Sequence, residues 1–467
     1  VKHTFFYFIL FFSSTAFFSC KSEKHKQVTS GIDSATKVIS TEHFDTGKIY
    51  PSVNISSSAE SFALYLPHQY KDSTKLSAIV FFDPHGDGSF PLSKYKSLAD
   101  SFGVVLFGSN NSKNGLTFEE TNHIADNLIT EASSRFKIDP KLISLAGFSG
   151  GSRAALSYAF NHPELNTIIY CGAAMPAEQI KPLPPALGIA GKHDMNYTEV
   201  INLDNALEKL NSNNCLIEWN GKHEWSGSSV FKDAFAWSLF NAMKKKLVRQ
   251  DDELVQKFIK DNSKSLSNVY DEELRLRKII VFANGLTDIS AFERRRNELL
   301  QSISYKKISS QRQESFELES RMKQNYVLCL DSKDIKWWQE EIRRMRKLKA
   351  GNERDMYERL LSYLSLACYS FSNTAIMQGN SEQALKILAI YKIADPENSD
   401  RAFLESCLYA RQNDDPHAIL LLNEAVHLGL RDKSKIENEE SFSRLKNTNG
   451  FREVLNKIQS EPEAANK

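Results

Sequence analysis

Cysteine is scarce and scattered: Cys20, Cys171, Cys215, Cys329, Cys368 and Cys407 are the only six in 467 residues, and none stand close together. That spacing excludes a Cys-x-x-Cys redox pair, a zinc ligand set and a dense disulfide framework. Setting Cys20 aside leaves five, an odd number, each among apolar neighbours, which predicts buried free thiols. A surplus of one charge is also lacking. Lys and Arg number 59 against 58 Asp and Glu, a net charge of +1, so no basic surface argues for nucleic acid. The Phe-rich run at 5–18 falls short of the roughly 20 apolar residues that span a bilayer. Glycine is thin in the second half, where only Gly285, Gly351, Gly379, Gly429 and Gly450 of the 20 lie beyond residue 246. With 41% hydrophobic content, the chain can still bury two or three cores.

The most informative stretch is Gly147-Phe148-Ser149-Gly150-Gly151. An apolar run of strand length (141–146) precedes it, and helix-forming residues (152–159) follow. Strand, Gly-x-Ser-x-Gly turn and helix together make a nucleophile elbow, in which glycines permit a sharp turn and the serine hydroxyl projects from the sheet edge. The new helix's N-terminus turns free N–H groups toward any anion formed there.

Two later strand patterns run into loops with the complementary chemistry. Residues 185–190 lead into Gly191-Lys192-His193-Asp194, and residues 215–219 lead into Asn220-Gly221-Lys222-His223-Glu224-Trp225. Asp194 and His223 are therefore candidates for the orienting acid and the general base, in the chain order serine, acid, histidine. His193 and Glu199 compete for the acid position, and Glu224 adjoins the histidine. Earlier, a buried-strand pattern at 76–82 precedes Asp83-Pro84-His85-Gly86-Asp87-Gly88. Backbone N–H groups near Gly86 or Asp87, with that of Gly150, are candidates for an oxyanion hole. His85 precedes the serine and reads as a turn-shaping or pocket-lining residue.

On these motifs, residues 60–245 resemble an α/β-hydrolase of the esterase and depolymerase kind. The resemblance implies a doubly wound, mostly parallel sheet, with Ser149 as nucleophile, His223 as general base and then acid, and Asp194 supporting the imidazole. It implies acyl transfer to water through an acyl-enzyme, on an ester-type substrate, without metal or organic cofactor. Insertions that usually form a substrate lid are short or missing, which favours an exposed or polymeric ester.

Residues 1–20 read as a signal peptide, and Ser19-Cys20 resembles a bacterial lipoprotein cleavage site with Cys20 as the lipidated N-terminus. Phe17 stands where leucine is commonest, so plain secretion and an uncleaved anchor stay open. Residues 21–47, rich in Ser, Thr, Lys and Asp, read as a tether. The expected location is a bacterial cell envelope, with the membrane reached through the lipidated N-terminus.

The expected hydrolase domain covers 48–246, followed by a helical region at 247–352. Residues 251–262, 272–283, 288–301 and 311–330 carry amphipathic helical patterns. The runs Arg294-Arg295-Arg296 and Arg343-Arg344-Met345-Arg346-Lys347 read as solvated helix faces, and Trp337-Trp338 as helix packing. Beyond them Ala384, Ile387 and Leu388 recur as Ala418, Leu421 and Leu422, and Gly379-Asn380 as Asn413-Asp414, an offset of 34 residues. That is the tetratricopeptide period. Residues 353–460 therefore resemble two divergent repeats with a capping helix at 451–458, a possible docking surface for a protein partner. Phe371 and Ser372 depart from the usual Leu-Gly pair, and an irregular bundle remains the alternative. Two functions stay open: an envelope serine hydrolase with a helical tail, cleaving an ester or, as the alternative chemistry on the same triad, a peptide; or an interaction protein on a catalytically weak or inactive hydrolase scaffold.

Overall fold

Strands that are apolar on both faces must be covered on both faces, and short runs of Ile, Leu, Val and Phe build such a sheet here. The computed structural model describes residues 43–460 apart from 177, 179, 349 and 350, so Cys20 and the N-terminal expectations lie outside the described residues. Eight strands form one sheet: β1 (Ile49–Asn54), β2 (Ser61–Tyr65), β3 (Leu76–Phe82), β4 (Val104–Ser109), β5 (Ile138–Phe148), β6 (Thr167–Cys171), β7 (Ala186–Gly191) and β8 (Asn214–Trp219). Their order is β1-β2-β4-β3-β5-β6-β7-β8. Only the pairings of β2 with β1 and β4 are antiparallel; every pairing from β4 to β8 is parallel.

Alternate residues of each strand feed opposite layers. Ala78, Val80 and Phe82 meet α2 (Phe118–Arg135), α3 (Gly150–Ala159) and α4 (Tyr197–Lys209) through Leu128, Leu156 and Val200. Ile79 and Phe81 face the other side, where α1 (Ser89–Phe102) and α5 (Ser228–Lys244) supply Tyr95, Phe231 and Trp237. The fold class is the expected one: α/β, with a doubly wound, mostly parallel sheet followed by an all-helical region.

That helical region begins with α6 (Asp252–Asn262), α7 (Val269–Ala283), α8 (Ser290–Gln301), α9 (Ile303–Ser332) and α10 (Ile335–Arg346). Val255 and Phe258 of α6 and Phe282 of α7 join the core beneath α5, with the Phe258 and Phe282 rings stacked at 4.8 Å. Tyr326 of α9 and Trp338 of α10 instead join a separate core with α11 (Asn352–Met377), α12 (Ser381–Ala394), α13 (Ser399–Arg411) and α14 (Asp415–His427). Leu274 of α7 and Phe316 of α9 pack on the core of the α2, α3 and α4 side, so residues 247–352 contribute to three cores.

The 34-residue offset has a local cause. Gly379 and Asn413 both adopt positive φ (73° and 64°) at the turns, where glycine and asparagine tolerate the left-handed region. Asn380 and Asp414 then cap α12 and α14 by accepting from Gln383 N–H and His417 N–H. Ala384 and Ala418 are buried where the paired helices approach. The last described helices are α15 (Lys433–Asn438) and α16 (Asn449–Ser460); Phe451 and Val454 of α16 join this core. Among the described residues no helix is long and apolar enough to cross a membrane, and the five described cysteines are all buried and free.

Candidate active site

Ser149 stands between β5 and α3 with φ 52° and ψ −120°. No ordinary L-residue well contains that combination, so neighbouring contacts must hold it. Ser149 N–H donates to Cys171 O at 2.9 Å, and Ser149 O accepts from Ser152 N–H at 3.0 Å. The flanking glycines let backbone pack on backbone. A Cβ at Gly151 would lie well inside contact of Phe82 O, one at Gly147 would strike Gly151 O, and one at Gly150 would strike the Asn114 carboxamide. The Gly-x-Ser-x-Gly spacing is therefore a packing requirement as well as a turn.

Asp194 follows β7 and His223 follows β8. His223 lies between its two neighbours, with Nε2 2.9 Å from Ser149 Oγ and Nδ1 2.9 Å from Asp194 Oδ1. Asp194 is 1% exposed. Its Oδ1 also accepts from Asn196 N–H at 2.8 Å, while Asn196 Nδ2 donates to Gly172 O at 2.9 Å. The Phe148 ring lies 4.7 Å from the imidazole.

The competing residues point elsewhere. His193 Nε2 is 3.0 Å from Asp355 Oδ1 on α11, Glu199 pairs with Arg153 at 2.7 Å, and Glu224 is exposed.

The turn after β3 is organised by Asp83, which is buried and had no role assigned from sequence. Its Oδ1 accepts from His85 N–H at 2.9 Å and contacts His85 Nδ1 at 3.1 Å. Its Oδ2 accepts from Trp225 Nε1–H at 2.9 Å. The hydrogen bond to Asp83 raises the His85 pKa, partly opposed by burial, with Asp400 of α13 and Asp87 adding to the rise. Gly86, at φ +73°, spends its N–H on Asp83 O at 3.2 Å to close the turn. Asp87 N–H has no acceptor among the described residues. Gly150, as the first residue of α3, has no acceptor within its own helix.

Chemically, a hydroxyl hydrogen-bonded to an imidazole, itself held by a buried carboxylate, is an arrangement able to deprotonate the hydroxyl as it attacks.

No family model and no curated protein matches the chain. Solved structures with similar coordinates include an S-formylglutathione hydrolase from Staphylococcus aureus, 14% identical over 42% of this chain and 98% of that one, with a TM-score of 0.36. A Pyrobaculum calidifontis esterase is 14% identical over 44% of this chain and 87% of its own, with a TM-score of 0.35. Esterase 2 from Thermogutta terrifontis, solved after phosphonylation by sarin, is 12% identical over 44% and 96%, also at 0.35.

Proposed function

We propose that this protein is a serine hydrolase that cleaves a carboxylic ester through a covalent acyl-enzyme. The observation that carries the proposal is the position of His223, 2.9 Å from both Ser149 Oγ and Asp194 Oδ1. In this reading His223 Nε2 accepts the Ser149 proton as Oγ attacks the ester carbonyl. Asp194 holds the imidazole with its Nδ1–H turned away from the serine and stabilises the imidazolium that forms. The N–H groups of Gly150 and Asp87 receive the oxyanion, Gly86 being committed to its turn. His223 returns the proton to the leaving alcohol, then activates the water that releases the acid. Lipid attachment at Cys20 and a location in a bacterial envelope belong to the same proposal, supported by the 1–20 segment alone.

A fluorophosphonate probe tests the chemistry directly. Expected is labelling at Ser149 that Ser149→Ala abolishes and that His223→Ala and Asp194→Asn strongly reduce, with each variant still folded. Asp194→Asn should lower ester turnover by about 10⁴-fold, the scale seen when the orienting carboxylate of such a triad is neutralised. Folded protein that takes no label would leave a hydrolase-shaped scaffold. Mass spectrometry of the membrane fraction, seeking a lipid on Cys20, tests the location.

A further inference from the structure

The loop that carries Asp194 is gripped by its backbone, and the grip comes from the helical region. Arg359 of α11 donates from Nη1 to Lys192 O at 2.9 Å. Lys323 of α9 donates from Nζ to Met195 O at 2.7 Å. Ser362 Oγ reaches His193 O at 3.4 Å. Carbonyls on both sides of Asp194 therefore end on helical side chains. Two of the loop's N–H groups, those of Lys192 and His193, donate to Trp219 O at the end of β8 and to Gly221 O of the histidine loop, both at 2.9 Å.

One carboxylate sets both cations. Glu319 Oε2 accepts from Arg359 Nε and Nη2 at 2.9 and 2.7 Å, and Glu319 Oε1 lies 2.9 Å from Lys323 Nζ. The Glu319 and Arg359 side chains are 1% and 5% exposed. Burying such a cluster is poor value for stability, since apolar residues of similar volume often stabilise as well or better. What charges with fixed hydrogen-bond directions add is geometry.

We infer that Lys323 and Arg359, locked by Glu319, are positioning residues that hold the Asp194 loop against the histidine loop. The helical region is then a brace for the site and not a detachable arm. This rests on the reading of Ser149, His223 and Asp194 as a catalytic triad.

The test uses the full chain and hydrolysis of p-nitrophenyl acetate. Lys323→Met keeps an unbranched stem of similar length and removes the ammonium that donates to Met195 O and lies 5.5 Å from the Tyr363 ring centroid. It should lower kcat about tenfold or more with KM changed less than about twofold, since small misplacements of reacting groups cost that much. Arg359→Lys, which keeps the charge but loses the forked geometry, should act in the same direction, and Lys323→Arg should recover most of the rate. Introduced beside Asp194→Asn, Lys323→Met should cost less than about twofold more, because its effect passes through that carboxylate. Parental kcat in both folded single variants, or losses that multiply in the double variant, would overturn the inference. The triad reading would survive either result. An Asp194→Asn variant at parental kcat would instead sink the triad reading, and this inference with it.

Discussion

Replacing Ser149 by glycine should make the protein more stable than replacing it by alanine, although both remove the hydroxyl. The reason is the backbone at φ 52° and ψ −120°, outside even the left-handed well that non-glycine residues visit. A conformation of that kind costs about 1–3 kcal/mol. Alanine keeps the Cβ and the strain, whereas glycine removes both. The two variants are otherwise matched: each loses the 2.9 Å bond from Ser149 Oγ to His223, and neither loses a helix cap, because the Ser149 side chain makes none. Glycine gives back about 0.5–1 kcal/mol through the greater freedom of the unfolded chain. The difference left is about 0–2.5 kcal/mol in favour of Ser149→Gly. For a unit of this size each kcal/mol moves Tm by about 2–4 °C. Calorimetry of the two variants at one concentration and one scan rate reads this difference. A Ser149→Gly variant that melts below Ser149→Ala would refute stored strain at the elbow.

The other expectations concern charge. Asp83→Asn keeps the shape but offers one carbonyl acceptor where two oxygens now serve His85 and Trp225; a buried partner left unpaired should cost about 1–3 kcal/mol in denaturant unfolding, and an unchanged midpoint would remove Asp83 as an organiser. The same variant should lower the His85 pKa, which Asp83 raises above 6.5. A raised histidine pKa stabilises the fold below the unfolded value and loses that effect as pH climbs through the folded one, so the gap between parent and variant should narrow above about pH 6.5. Lys244, pushed down to about 8 by burial, gives the opposite sign. Its charged form is disfavoured in the fold, so the penalty is full below pH 8 and fades toward the unfolded value near 10.5. Lys244→Met should therefore be more stable than the parent at pH 7, by on the order of 1–3 kcal/mol, with the difference closing by pH 10.5; a gap that does not vary with pH would contradict this.

Much of the fold was legible because parallel strands covered on both faces read as unbroken apolar runs. Residues 76–82 form β3, and the runs at 185–190 and 215–219 lie on β7 and β8 to within one residue at each end. Each such run ends at the loop where a polar residue of interest stands, so finding the strands also placed Ser149, Asp194 and His223 in order. The charged helices were less transparent. An amphipathic pattern over 311–330 gives no sign of a charge turned inward, yet Glu319 of α9 is fully buried against α11. Arg296, within a run expected to face solvent, joins Glu273 and Glu208 at 2.7 and 2.8 Å. Periodicity describes one element against an average surrounding, and these partners lie on other elements.

Asp83 illustrates the deeper limit. In strand order β8 is three places from β5, so at about 4.8 Å per strand the His223 loop starts about 14 Å from the strand that ends at Ser149. It must bend back over the sheet to bring the imidazole within 2.9 Å of the hydroxyl. Trp225 anchors that return: its indole is 3% exposed among Phe81, Tyr95, Phe148 and Phe231, and its N–H ends on Asp83, one strand beyond β5. The loop is therefore held beyond the serine as well as at β8, and His223 lies between the two fixed points. Asp83 joins the turn that carries Asp87 N–H to the loop that carries His223, across a sequence separation of 142 residues. A shift in either would move Asp87 N–H and the His223 imidazole together, the groups proposed as oxyanion donor and base, so one buried carboxylate placed outside the proposed proton transfer matters to the geometry of both.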